Sequence, residues 1–383
     1  MPGAKKKRRP EGRKRPSSFF SNRLRAAAPG NRFVLPLLAR GYGLWRRAQD
    51  TFNTLGLRRA CRPEAVTVCV GGMSPESRGR VLLTSWLLGW AGAQHVGAAV
   101  IAPRGEGRPP VVPYQVTPGG DPDDSGVEAA LLASYVPDVR CLIDTDPVRA
   151  VTTAMRAYSP HMLVLQDALA DPRLARDIEL AILTPEDLGA GWGRLFPAGT
   201  WRRDLPALEA ATAYCVFAGQ ADLAQTLELA RKRLGHLGKP IFSLGFDIWR
   251  WRGQGREVEA RELAGSPYLA VLGESDRPFL PEMLRRQCGV SPRMLFFFHD
   301  RHRFTRQDFD TVRADAVRFK ARNILTSPRV ELKLRQGAPL LEGLTVWTYD
   351  PEVVFGPSLF TDVPFLSWWE NAFLAAARGR IAP

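Results

Sequence analysis

The stretch from residue 161 to 205, HMLVLQDALADPRLARDIELAILTPEDLGAGWGRLFPAGTWRRDL, constrains the fold more than any other part of this 383-residue chain. Residues 162–165 and 178–183 are continuous apolar runs, the pattern of strands covered on both faces rather than of a sheet with one wet face. Asp167 follows the first run, at the carboxyl edge where open α/β sheets place ligands and metals, a Walker B-type position. After the second run, Gly189, Gly191, Gly193 and Gly199 punctuate a loop over the same edge, which closes on the unusual turn Gly-Arg-Leu-Phe-Pro-Ala-Gly. An acid and a glycine-rich loop over one sheet edge point to ligand chemistry there.

The alternation extends in both directions. Residues 65–70 predict a first strand, 71–80 a loop, 81–91 an apolar helix beneath the sheet and 96–101 the next strand. A Pro/Gly/Asp-rich loop fills 103–125, longer than connections in compact domains usually are; such loops are functional or disordered, and this one is expected to face the substrate. Helices at 127–135 and 148–158 flank a short strand at 141–143, and 213–218 closes the sheet. The helix at 221–237 carries Lys and Arg in its last turns, as the helix dipole prefers. A second unit starts near Lys239, with strands at 240–244, 269–274, 294–298 and 323–326 and helices at 279–287 and 305–321. Strands alternating with helices predict two α/β units, divided as residues 64–220 and 221–383. The latter includes a C-terminal segment whose Trp368 and Trp369 read as core or interface residues.

The formal net charge of +14 suggests a nucleic-acid partner until it is located. Residues 1–25 carry ten Lys or Arg against one acid and residues 26–63 seven against one, so the remaining 320 residues are close to neutral. A basic leader on a neutral body is not a nucleic-acid groove, and no nucleic acid is expected as partner. Residues 1–25, broken by Pro10 and Pro16, are expected to form a disordered basic tail. Residues 26–63 read as an amphipathic membrane-associating helix. Phe33, Leu37, Leu38, Leu44, Phe52 and Leu55 alternate with Arg40, Arg46, Arg47 and Arg58, and Tyr42 and Trp45 suit the headgroup level. The competing readings are a solvated tail and a helix packed on the body. No apolar run reaches the roughly 18 residues of a transmembrane helix, and no signal-peptide core follows the basic start. Cys61, Cys69, Cys141, Cys215 and Cys288 have neither metal-ligand nor disulfide spacing, and are expected to be reduced thiols, mostly in the core.

In order and spacing, Asp167, Leu169, Arg173, Leu174, Arg176, Asp177, Glu179, Gly193, Arg194, Leu195, Pro197, Ala198 and Gly199 match a longer pattern. The block resembles the D-D-G-L-Q-H-x-R-L-x-R-D-L-E-I…G-x-G-R-L-L-P-A-G-P-L-R-E segment of the tetraacyldisaccharide 4′-kinase (lipid A 4′-kinase) family. Four further anchors fall in the family's order. Val70-Gly71 resembles the start of its V-G-N…G-G-T-G-K-T-P loop, Arg104-Gly105-Glu106-Gly107 its S-R-G-Y-G, Gly126-Val127-Glu128-Ala129 its G-D-E-P, and Asp300-Arg301-His302-Arg303-Phe304 its D-H-H-x-F. The resemblance implies a P-loop-type parallel-sheet domain with a second, smaller α/β domain. It also implies ATP and Mg2+ as cofactors, a lipid A disaccharide precursor as acceptor, and a peripheral place on the anionic cytoplasmic face of the bacterial inner membrane.

The departures carry as much information, because a kinase of this type needs a glycine-rich loop, a phosphate-binding lysine, a magnesium-binding hydroxyl and a base. In register with G-G-T-G-K-T the chain reads Glu76-Ser77-Arg78-Gly79-Arg80-Val81, keeping one glycine and the cation and losing the hydroxyl. These six residues are the implied nucleotide-binding set, and Glu76 would put a negative charge beside a triphosphate. The paired acids have become Gln166-Asp167, leaving Asp167 as the implied metal ligand, and the acid of G-D-E-P has become Val127. Glu128 and His302 stand as substitutes for the missing base, with His299 nearby. Arg173 and Arg104 are the implied cations for the acceptor's phosphate. Where the family has T-E-K-D, Ser327-Pro328-Arg329-Val330 keeps only the charge of the lysine. Two functions fit: an active, divergent lipid A 4′-kinase, or a non-catalytic relative that binds lipid or a partner at the membrane.

Overall fold

The computed structural model describes residues 38–41, 43, 60–74, 79–169 and 171–381. Residues 1–25, most of the expected amphipathic helix, and Glu76, Ser77 and Arg78 of the implied nucleotide loop lie outside the described residues. Thirteen strands form one continuous, mostly parallel sheet in the order β11-β10-β12-β13-β8-β7-β6-β1-β5-β2-β4-β3, with β9 paired to β8.

The first lobe holds β1 (Val66–Gly72), β2 (Ala98–Pro103), β3 (Tyr114–Val116), β4 (Arg140–Asp144), β5 (Met162–Gln166), β6 (Ile178–Leu183) and β7 (Ala213–Phe217). All pair in parallel except β3. Strands β1, β5, β6 and β7 are buried at every position, which is why they read as unbroken apolar runs. Helices cover both faces. Val66, Val68 and Val70 of β1 share one hydrophobic core with α1 (Gly79–Ala93) and α2 (Val127–Tyr135). Leu163 and Leu165 of β5 pack against α3 (Pro147–Tyr158), and Tyr214 and Val216 of β7 against α4 (Gln220–Leu234). Alternate residues of the same strands therefore fill two cores. β1 sits between β5 and β6, with β2 beyond β5, so the strand order reverses at β1 and a crevice opens at the carboxyl ends of β1 and β5.

The second lobe is built on β10 (Tyr268–Gly273), β11 (Met294–Phe298) and β12 (Asn323–Thr326), with α5 (Leu280–Cys288), α6 (Arg306–Arg318) and α7 (Pro328–Leu334). Two long strands join the lobes. β8 (Ile241–Gly253) begins beside β7 and ends beside the short β9 (Arg256–Val258). β13 (Thr345–Leu359) begins beside β12 and runs back antiparallel to β8, from Thr348 opposite Arg252 to Leu359 opposite Ile241. The sequence reading ended its last strand at 326 and so did not anticipate β13.

Helix α8 (Phe365–Ile381) completes the first lobe, although the expected division assigned it with residues 221–383 to the second. Trp369 is fully buried there, edge-on to Trp90 with ring centroids 5.4 Å apart, and Phe365 packs edge-on to Phe242. Arg380 at its far end donates to Asp177 and to the Pro63 carbonyl. The five cysteines are free and all but Cys61 are buried; burial pushes the Cys69, Cys141 and Cys215 thiols up to about 12.

Candidate active site at the carboxyl edge between the lobes

The site begins with Asp167, the first residue after β5. Its backbone is left-handed, with φ of 60°, a conformation Asp adopts more readily than most residues, and its N–H donates to the Val70 carbonyl at 2.8 Å. This turn holds the carboxylate over the carboxyl end of β1. Gly71 is obligatory beside it, since a Cβ there would come within 2.6 Å of the Leu169 side chain.

Arg80, in the first turn of α1, is only 3% exposed and donates to Asp167 Oδ1. Its other terminal nitrogen lies 3.6 Å from Glu128 Oε2, on the first turn of α2. Arg329, at the start of α7 in the second lobe, reaches the remaining Glu128 oxygen, Oε1, at 3.4 Å. Arg202, beyond the Gly193–Gly199 turn, stands 3.9 Å from Asp167 Oδ2. The result is an alternating chain of charge, Arg202, Asp167, Arg80, Glu128, Arg329, spanning both lobes. A buried arginine between carboxylates is stable only because its charge is answered, and guanidiniums at a sheet edge suit an anionic ligand.

Arg329 is supported from below. The Ser327 hydroxyl donates to Asp276 Oδ2 at 2.6 Å, the Gly273 N–H donates to the same oxygen at 2.8 Å, and Asp300 Oδ1 accepts from the Ser275 N–H at 3.1 Å. Burial works against the Arg329 charge, but the carboxylates of Glu128, Asp300 and Asp276 outweigh it and hold the guanidinium above its usual range. Burial, and then the neighbouring Arg329 charge, pulls Lys333, one turn further along α7, below the usual lysine range. Its Nζ donates to the Asp300 and His302 carbonyls. Next to Arg329 the lobes leave a cavity of about 80 Å3, lined by Val81, Tyr135, Phe217, Ser275 and Tyr349 among others.

The sequence-derived candidates thus divide. Asp167, Arg80 and Glu128 come together. Gly79 and Val81 are buried. Gly79 fits closely against Phe217 and Leu244, where a Cβ would come within about 3.0–3.1 Å, and Val81 belongs to the hydrophobic core under the sheet. Among the contacts of the described residues, the expected acceptor cations are not part of this charge chain. Arg173 is held by Asp171, at 2.8 and 3.1 Å, and by Asp146 at 3.3 Å, while Arg104 is exposed in a turn closed by the Gly107 N–H donating to its carbonyl. The His302 ring stacks on Phe298 at 4.8 Å and lies 2.9 Å, through Nε2, from Asp308. Asp308 caps α6, accepting from the Thr305 N–H at 2.7 Å, so the geometry commits His302 to the second lobe's own structure. The sequence reading missed Arg202, for which the arginine in the family's P-A-G-P-L-R-E was an available signal. It also missed the Glu128–Arg329 contact.

Metal fit is decided by the donor set. Among the described residues there is no group of three or more His, Cys, Asp or Glu that could cage an ion. Asp167 follows β5 at the crevice, and neighbouring Gln166 keeps a buried side-chain amide with no hydrogen-bond partner. One carboxylate with phosphate oxygens and water is an ordinary arrangement for Mg2+, which is seldom held by protein alone. The residues therefore fit a magnesium that arrives with a phosphate ligand.

Comparison with known proteins agrees with this architecture. The model of the family described as tetraacyldisaccharide-1-P 4′-kinase matches residues 31–363. The chain is 31% identical over 351 residues to the tetraacyldisaccharide 4′-kinase of Nitratidesulfovibrio vulgaris, covering 91% of this chain and 96% of that protein. It is 29% identical over 321 residues to the same enzyme of Oleidesulfovibrio alaskensis, covering 81% and 87%. Among solved structures, LpxK from Aquifex aeolicus in complex with ATP superposes with a TM-score of 0.66 at 18% identity, covering 88% of this chain and 97% of that one, which establishes the shared fold. With a family match across both lobes and a relative aligned along nearly its whole length, the chain belongs to the tetraacyldisaccharide-1-P 4′-kinase family.

Proposed function

We propose that this chain transfers the γ-phosphoryl group of ATP to the 4′-hydroxyl of tetraacyldisaccharide 1-phosphate, the phosphorylation for which its relatives are named. The observation that carries the reading is the Asp167–Arg80–Glu128 chain at the carboxyl edge of β1 and β5. On this reading a cation for phosphate, a carboxylate for metal and a carboxylate for the acceptor proton stand side by side. Arg80 takes the part of the P-loop lysine, Asp167 orients Mg2+, and Glu128 accepts the proton of the attacking hydroxyl. Bound Mg2+ would supply neutralisation of the phosphate charge, and Asp167 is the residue that would hold it. His302 holds the loop that faces the cleft. Each role depends on positioning more than on covalent chemistry, as phosphoryl transfer generally does.

The test is label transfer from γ-labelled ATP to the tetraacyl disaccharide by the full chain, with Asp167→Asn beside it. Asn tolerates the left-handed backbone and removes the metal-binding charge. Wild-type transfer with a loss of at least about 100-fold in the variant is expected, the scale at which electrostatic groups act in catalysis. No transfer by the wild type would remove the catalytic reading.

The location we propose is peripheral, on an anionic membrane surface. Among the described residues no helix is long and apolar enough to cross a membrane. The basic leader would add about 1 kcal/mol of attraction per charge near such a surface. Deleting residues 1–25 should weaken co-sedimentation with anionic vesicles at about 0.1 M salt and little at about 1 M, where the screening length falls from about 10 to about 3 Å. Equal binding of the full chain and a chain lacking residues 1–60 would show that the leader is not the anchor, and binding by neither would exclude this location.

A further inference from the structure

We infer that Arg329 is the second lobe's ligand for the terminal phosphate, and that Glu128 is held masked between Arg80 and Arg329 until that phosphate draws the guanidiniums away. The inference rests on the phosphoryl-transfer reading and adds a residue and a device to it. Three observations carry it.

The first is unequal tightness along the charge chain. Arg80 and Asp167 are in close contact, whereas Glu128 lies 3.6 Å from Arg80 and 3.4 Å from Arg329. Charge-assisted bonds between guanidinium and carboxylate settle at about 2.7–2.9 Å. Of the two carboxylates on Arg80, Glu128 is therefore the more loosely held, and a phosphate oxygen carrying more charge can displace it from both arginines. Arg80 would keep its hold on the Asp167 side while it does so.

The second observation is the support beneath Arg329. Ser327, Asp276 and Gly273 fix the start of α7 through bonds of 2.6 and 2.8 Å, so the backbone that carries the guanidinium is set in advance. A preset backbone lets binding energy go into the contact rather than into ordering. The adjoining cavity, of about 80 Å3, gives the side chain room to turn from Glu128 without disturbing the packed core.

The third is the source of the two cations. Arg80 comes from the first lobe and Arg329 from the second, 249 positions later in the chain, yet they share one carboxylate. A ligand that replaces the carboxylate inherits a bond to each lobe, and a terminal phosphate has oxygens enough for both. Release of Glu128 then coincides with the phosphate's arrival. The proton acceptor is delivered only when there is a phosphoryl group to transfer.

The experiment measures affinity of the full chain for Mg-ADP and for a non-hydrolysable Mg-ATP analogue by calorimetry, in the wild type and three variants. Arg329→Ala should lose about 10- to 100-fold for the triphosphate, the worth of a charged hydrogen bond, and at most about threefold for ADP. Arg329→Lys should recover part of the difference, since it restores charge without the planar fork. Glu128→Gln should bind the triphosphate more tightly than the wild type while turnover falls, because a competitor for both guanidiniums has gone. Equal losses for the two nucleotides in Arg329→Ala, or weaker triphosphate binding in Glu128→Gln, would overturn the inference and leave the kinase reading standing. Failure of the wild type to bind either nucleotide would instead remove that reading and this one with it.

Discussion

Asp276 shows how closely the charges of this site depend on what lies one layer beneath them. Its carboxyl is held above the ordinary value of 3.8, chiefly by burial, with the Ser327 hydroxyl and Gly273 N–H pulling the other way. A raised folded value fixes the sign of its effect on stability. The contribution is whole below 3.8 and is lost as pH climbs through the folded value. Asp276→Asn keeps an oxygen to accept from both donors and removes the titration. We therefore expect the wild-type melting temperature to fall relative to the variant as pH rises from 3.8 toward neutrality, with the variant at least as stable at neutral pH. Parallel curves for the two proteins would show that Asp276 titrates as it does in the unfolded chain. Gln166 makes a related point about burial: its unpartnered amide carries a cost of about 1–3 kcal/mol for each group left unsatisfied.

At the scale of elements, legibility followed the local run of apolar residues. The ranges expected for β6, β11, β12 and α2 agree with the structure, because each is a short apolar or periodic run bounded by Pro, Gly or charge. β13 was not legible. It carries Asp350, Pro351, Glu352 and Pro357, it is only partly buried along most of its length, and it exists because β8 pairs with it. Such a strand is a product of tertiary context rather than propensity. α8 was half legible: its tryptophans announced a core, but nothing local said that the core was the first lobe's. The candidate site divides in the same way. Motif order sufficed for Asp167, Arg80 and Glu128, since each sits where a strand ends or a helix begins. The partnership of Glu128 with Arg329 spans 201 residues and is made by the β8–β13 bridge, which the sequence reading did not contain.

The whole molecule is two α/β lobes sharing one sheet, and the β8–β13 pair is at once the continuity of the sheet and the only stretch of it common to both lobes among the described residues. Across the mouth of the cleft the lobes meet through ion pairs. Arg301 reaches Glu106 at 2.8 Å, Arg303 reaches Asp123 at 3.9 Å, and Arg329 reaches Glu128 at 3.4 Å. In the two outer pairs the four side chains are 59–80% exposed, so these contacts are weak and readily screened. Deeper in, Phe217 lies against Phe246 and Phe279 with centroids 6.4 and 5.0 Å apart, a contact that salt does not screen. The separation of the lobes should therefore answer to ionic strength while the hinge strands stay paired. Raising salt from about 0.1 to about 1 M shortens the screening length from about 10 to about 3 Å. The radius of gyration from small-angle scattering should then increase with no change in circular dichroism. Arg301→Glu with Arg303→Glu should show the larger value already at low salt, because it sets like charges against Glu106 and Asp123. A radius unchanged by both salt and charge reversal would assign closure to the aromatic contacts alone, and the outer ion pairs would then be surface decoration on a cleft shut by packing.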